Sequence, residues 1–143
     1  MKRYIALFAG FALFSLVGLL AACGGGAPEA PEGDPTAPIT LDFEGTDIAF
    51  DVTSVAVNVN QPVRVRLENL GTLEHSWVLI AGDTDPITAT EEDAIQNADS
   101  GVIAGGENAT FNFTAPSEPG TYIFVCTVEG HAEAGMLGDF VVQ

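Results

Sequence analysis

Val63-Arg64-Val65-Arg66-Leu67 is the stretch that settles the class of fold. Aliphatic and guanidinium side chains alternate strictly, so an extended chain puts Val63, Val65 and Leu67 on one face and both arginines on the other, whereas a helix would scatter them around its axis. A strand with one dry and one wet face results. Asn69-Leu70-Gly71 then supplies a turn, and from Ile39 onward the chain keeps this texture of short apolar or alternating runs broken by turn residues. Further strands are expected at residues 48–51, 54–59, 76–80, 109–114, 121–126 and 138–142, which together predict an all-β, Greek-key β-sandwich. One segment departs from the pattern. In DTDPITATEEDAIQNADSG, residues 83–101, Thr90 can cap and Glu91, Glu92 and Asp93 sit where a helix dipole favours anions, so one short helix is expected at about 91–98 in this inter-strand insertion. Its acidity makes it a candidate partner surface; a solvated excursion without function is the alternative.

The first 22 residues are subtracted before the fold is considered. Lys2 and Arg3 precede an apolar run from Tyr4, and Leu20-Ala21-Ala22-Cys23 resembles a bacterial lipobox, which makes residues 1–22 a signal peptide and Cys23 a lipidated first residue. An uncleaved membrane anchor is the alternative, since the run is almost long enough for a bilayer core of about 30 Å. Both place the remainder outside the cytoplasmic membrane, on its periplasmic or cell-surface side and tethered to it. Residues 23–38, rich in Gly, Pro, Ala and acid, read as a flexible tether, and residues 39–143 as one domain. Without Lys2 and Arg3, only Arg64 and Arg66 remain against 20 acidic residues, a net charge of -18. Such a surface repels nucleic acid and anionic membrane and steers toward basic partners; acidity serving only solubility explains it equally well.

The same subtraction leaves one free thiol, two imidazoles and one thioether. With a single free thiol no intramolecular disulfide forms, so stability rests on the core or on a bound metal. CTVEGHAEAGM, residues 126–136, holds three of these four scarce residues. Tyr122, Phe124 and Cys126 share a strand face, which turns the cysteine inward, and Gly130 and Gly135 flank a loop short enough to bring His131 and Met136 back toward its sulfur. Two imidazoles and a thiolate with a weak axial thioether suit a copper electron-transfer centre, and His75, on one face with Trp77 and Leu79, is the only source of the second imidazole. Soft sulfur ligands favour Cu(I), imidazole accepts both oxidation states, and ligands fixed on strands need not rearrange when an electron arrives. Taken singly, each residue has a plainer use: a buried Cys or Met fills core, and a His beside Trp77 is satisfied within its strand.

GTYIFVCTVEGHAEAGMLGDFVV, residues 120–142, together with LEHSWVLI, residues 73–80, resembles the small type 1 blue copper proteins of the cupredoxin family, such as azurin, plastocyanin and auracyanin. The similarity covers residues 39–143, and the Cys-x4-His-x4-Met spacing most resembles auracyanin. The resemblance implies a copper-binding sandwich that shuttles single electrons, one type 1 copper ion, His75, Cys126 and His131 as equatorial ligands and Met136 as the axial one. Three positions depart from the family. Ser76 stands where an asparagine usually ties the two ligand segments together, and its shorter side chain can bond to Thr127 or to a backbone group. Glu74 replaces the glycine of azurin-like proteins, so no fifth ligand is expected. Val125 replaces the exposed tyrosine of plastocyanin, which leaves His131, among the small residues Ala132 and Ala134, as the expected route for electrons.

Three other functions compete. Copper storage or delivery would use many of the same ligands but usually needs exchangeable Met- or His-rich sites. A Cys126–His131 nucleophile pair lacks an orienting group, so an enzyme is not expected. Zinc sites rarely recruit a thioether. The expected partners are redox proteins of a membrane-associated chain, one with a basic docking surface, visited by a monomer held on the membrane through its lipid anchor.

Overall fold

The computed structural model describes residues 28–30 and 32–143. The expected signal segment 1–22, the lipidation site Cys23 and the first residues of the tether lie outside them. Among the described residues eight strands form two four-stranded sheets: β1 (Ile39–Thr46), β2 (Ala49–Phe50), β3 (Ser54–Val57), β4 (Pro62–Asn69), β5 (Val78–Ile80), β6 (Asn108–Thr114), β7 (Gly120–Val125) and β8 (Leu137–Val142). The first sheet has the order β2-β1-β4-β6 and the second β3-β8-β7-β5. Both are mixed, with β1 parallel to β4 and β3 parallel to β8. Among the described residues no helix is long and apolar enough to cross a membrane.

Alternation along β4 buries Val63, Val65, Leu67 and Asn69 and leaves Arg64 and Arg66 in solvent, where they bond to Asn112 and Asp42. Between the sheets lie Trp77, Phe43, Phe124 and Phe140, all at most 2% exposed. The Trp77 and Phe124 rings stack at 5.6 Å and 9°. Trp77 is two residues from His75 and Phe124 two from Cys126, so the centre of the core fixes both segments that lead to this end of the sandwich. Truncating such an aromatic in a close-packed core costs about 3–5 kcal/mol.

Two elements differ from the sequence expectation. β1 is eight residues long and was not expected as a strand; Ile39, Leu41 and Phe43 do alternate inward, but Asp42 and Glu44 lower the strand propensity of the stretch. The helix expected at 91–98 is instead two single turns of 3₁₀ helix, Glu91–Asp93 and Ile95–Asn97. Thr90 does start the first turn, its N–H and hydroxyl donating to the Asp93 carboxylate at 2.8 and 3.0 Å. The helix then fails for a tertiary reason. Ala94 is extended at ψ 120°, Gln96 and Asn97 are left-handed, and the chain swings back so that Ala98 accepts the Leu79 N–H and Asp99 bridges Val78. Pairing with β5 replaces helical hydrogen bonds that a segment this short and polar would hold only weakly.

Candidate metal centre

The loop from Cys126 to Met136 is closed by its own backbone. Cys126 N–H donates to Met136 C=O at 3.0 Å, Met136 N–H to His131 C=O at 2.9 Å, and His131 N–H to Val128 C=O at 3.0 Å. Gly130 and Gly135 take φ of 83° and 96°, a region that glycine enters without penalty and that lets the loop reverse on both sides of His131. Because β7 and β8 are hydrogen-bonded neighbours, the two ends of the loop are held by the same sheet.

His75 arrives from the other side of the barrel-like end. It exchanges backbone hydrogen bonds with Ile103, at 3.0 and 2.8 Å, and its side chain is fully buried. The Nδ1 atoms of His75 and His131 stand 3.3 Å apart, and the Cys126 Sγ lies 3.4 Å from His131 Nδ1 and 4.0 Å from His75 Nδ1. All three donor atoms fall within 4.8 Å of one another, and all three residues are buried. Met136 is fully buried beside them: its ε-methyl and the Cδ2 edge of His75 both flank Gly45.

Ser76 and Thr127 connect the two segments. Thr127 N–H donates to Ser76 Oγ at 2.9 Å, the two hydroxyls are 2.9 Å apart, and Ser76 N–H donates to the Cys126 sulfur at 3.4 Å. The backbone amide ties the sulfur to the segment that carries His75. Burial, and then the nearby His131, push the His75 imidazole below its ordinary 6.5, while the Thr46 carbonyl and Asp47 pull it the other way. The direction favours the neutral imidazole, the form that can bind a metal. Its buried Nε2 has no hydrogen-bond partner at close range.

Sequence reasoning missed three residues that shape this end. Asn69, read only as part of a turn, is fully buried, and its amide donates to the carbonyls of Leu73 at 2.8 Å and Ile103 at 3.3 Å. Asp47 receives the Thr72 N–H at 2.8 Å. Gly45 is a buried glycine at a strand end. Only the position of Asn69 in the inward phase of β4 could have marked it. Residues 86–89 cover the loop from outside: Pro86, Ile87 and Ala89 face Cys126–Gly130, Ala132 and Glu133 across a cavity of about 60 Å³.

Two imidazole nitrogens and a sulfur converging without a compensating cation would be costly in so dry a place, and the donor set fits copper. The comparisons agree. Residues 37–143 match the family of copper binding proteins described as the plastocyanin/azurin family. Auracyanin-A of Chloroflexus aurantiacus is 30% identical over 154 residues, covering 92% of this chain and 93% of that protein. A copper-resistant cuproprotein, CopI of Rubrivivax gelatinosus, is 34% identical over 104 residues, which span 66% of this chain and 59% of the relative. Among solved structures, the dithionite-reduced auracyanin of Roseiflexus castenholzii superposes with a TM-score of 0.61 at 26% identity, over 78% of this chain and 99% of that one. The chain is a member of the copper-binding plastocyanin/azurin family, the blue copper proteins of cupredoxin fold.

Proposed function

We propose that this chain is an exported, membrane-tethered type 1 copper protein that carries single electrons, with His75, Cys126 and His131 as equatorial ligands and Met136 as the axial one. The observation that carries the proposal is the convergence of three buried donor atoms within 4.8 Å. Copper, when bound, supplies the one-electron couple. The residues supply a site that holds its shape: Cys126, His131 and Met136 are fixed by a self-closed loop, His75 by its pairing with Ile103, and the two halves by Ser76 and Thr127. Little movement on oxidation and reduction means a small barrier to transfer.

The surface supports transfer at this end. His75 is 0% exposed and His131 is 6%, so the imidazole nearer solvent is His131. Ile48, Leu70, Leu73 and Val102 are between 38% and 54% exposed. They sit on neighbouring loops, since Thr72 bonds to Asp47, and Ile103 pairs with His75. Ile48 even holds a φ of 64°, which costs a β-branched residue about 1–2 kcal/mol. Strain spent on an exposed apolar side chain fits a docking face. The acidic surface favours a basic partner. β1 enters at Ile39 and reaches the side of His75 at Gly45, six residues on, so a tether joined to Ile39 leaves the metal end about 20 Å away and free to meet soluble or membrane-bound partners.

Voltammetry of the copper-loaded protein tests the proposal, with a reversible one-electron wave expected. A rate of electron exchange with a basic redox protein that falls as salt rises supports the docking reading; a flat response leaves acidity as a solubility trait. The relative named a copper-resistant cuproprotein favours a second reading, copper storage or delivery. Copper that leaves readily to a chelator and does not cycle would select it.

A further inference from the structure

Gly45 is buried in β1, paired with Asn69 on one side and Phe50 on the other. Glycine inside a strand gives up packing and costs backbone entropy, so its presence calls for a cause. A left-handed backbone is not the cause, because Gly45 is absent from the residues of positive φ. Its carbonyl is committed as well, accepting the Leu70 N–H at 2.7 Å. What remains is room. An ideal Cβ at Gly45 would lie 3.2 Å from His75 Cδ2, 3.6 Å from Met136 Cε and 3.7 Å from His75 Cγ. Other tight glycines are limited by scaffold atoms: Gly82 by the Thr121 carbonyl, Gly105 by Gly71 and Thr72, Gly138 by Phe124 and the Thr53 carbonyl. At Gly45 alone among the described glycines do all three nearest atoms belong to proposed metal ligands.

We infer that Gly45 is a positioning residue for the metal: the side chain it lacks sets how far the His75 imidazole and the Met136 methyl stand back from the copper, and so tunes the reduction potential. This rests on the proposed ligand set. Gly45 backs the Cδ2 edge of the His75 ring, while Nδ1 on the other edge faces Cys126 and His131. A methyl 3.2 Å from Cδ2 makes the ring give by a few tenths of an ångström away from Gly45, toward the side where Nδ1 faces Cys126 and His131, and it comes into contact with the Met136 methyl at 3.6 Å. Compression favours the smaller oxidised ion, which draws its ligands closer. The potential should fall.

The test is Gly45→Ala, with Gly120→Ala as control, since the nearest atom to a Cβ at Gly120 is Tyr122 Cε2 at 3.9 Å. The copper-loaded variants and wild type are compared by voltammetry, visible spectrum and electron paramagnetic resonance. A lower potential with altered copper hyperfine splitting in Gly45→Ala, and neither change in Gly120→Ala, is the expected result. An unchanged or raised potential in folded Gly45→Ala, or an equal shift in Gly120→Ala, overturns the role of Gly45 while leaving the ligand set intact. A wild type without a thiolate-to-copper band overturns the ligand set itself. Should Gly45→Ala not fold, the Cu(I) wild type decides: through-space contacts from the Gly45 α-protons to His75 Hδ2 and the Met136 ε-methyl are expected in its proton spectrum, and their absence overturns the inference.

Discussion

The two segments that meet at the proposed metal site are held in opposite ways. Cys126–Met136 is stabilised from within, by hydrogen bonds between residues at most ten positions apart and by two left-handed glycines. His75 is stabilised from without: its backbone pairs with Ile103, its approach is fastened by Asn69 and Asp47, and its ring rests on Gly45. A self-closed loop keeps its shape when its surroundings are disturbed. A residue held by remote partners is lost one partner at a time, so changes on the two sides should have different signatures.

The largest effect is expected inside the loop, at its sulfur. Cys126→Ser should abolish the visible band completely while circular dichroism still reports a folded β domain, because the loop is closed by backbone rather than by the side chain. A variant that lost the fold as well would break the distinction. On the remote side, Asn69→Ala removes the amide donor of the Leu73 carbonyl and leaves the Ile103 carbonyl with the His75 N–H alone, and losing such a hydrogen bond costs about 0.5–1.5 kcal/mol. Denaturant unfolding measures that loss. Hydrogen exchange sharpens it, with faster exchange expected at the His75 and Ile103 amides and unchanged exchange at those of Cys126, His131 and Met136. Met136→Leu should retain the colour and raise the potential, since removing a soft axial donor would leave Met136 N–H and the loop ladder in place. An unchanged potential would mean that Met136 is not axial. The smallest effect is at Asp47, whose carboxyl is held below its ordinary 3.8 chiefly by the Thr72 N–H. Its folded-state value is depressed, so its contribution is fully present above that ordinary value and fades as pH falls through the folded one. The stability gap between wild type and Asp47→Asn should therefore be widest near neutral pH and narrow as the pH falls below the ordinary value of 3.8; a gap independent of pH would show that the charge of Asp47 is immaterial.

The contrast between local and remote also decides how much the sequence discloses. The alternation of Val63–Leu67 reported the sandwich, because a half-buried strand writes its two faces directly into the residue order. Residues 126–136 could be read as a turn-rich loop because their partners are each other. What stayed hidden depends on residues far away in the chain. β1 was masked by Asp42 and Glu44, which are tolerated because that face is wet and, for Asp42, because Arg66 lies beside it. The broken helix at 91–97 reflects pairing of Ala98 and Asp99 with β5, which composition does not announce. Asn69 and Gly45 pair directly across β1 and β4, and each takes its meaning only from that register. Residues brought together by sheet pairing rather than by a loop are the ones for which a single sequence says least.

If the proposed function holds, one copper ion sits where the two segments meet. A crystal structure of the copper-loaded protein, with anomalous differences collected at the copper edge, measures this directly. One peak is expected within bonding distance of His75 Nδ1, Cys126 Sγ and His131 Nδ1, with the Met136 sulfur as a longer fourth contact. A peak elsewhere, or copper held without the Cys126 sulfur, would contradict the proposed function.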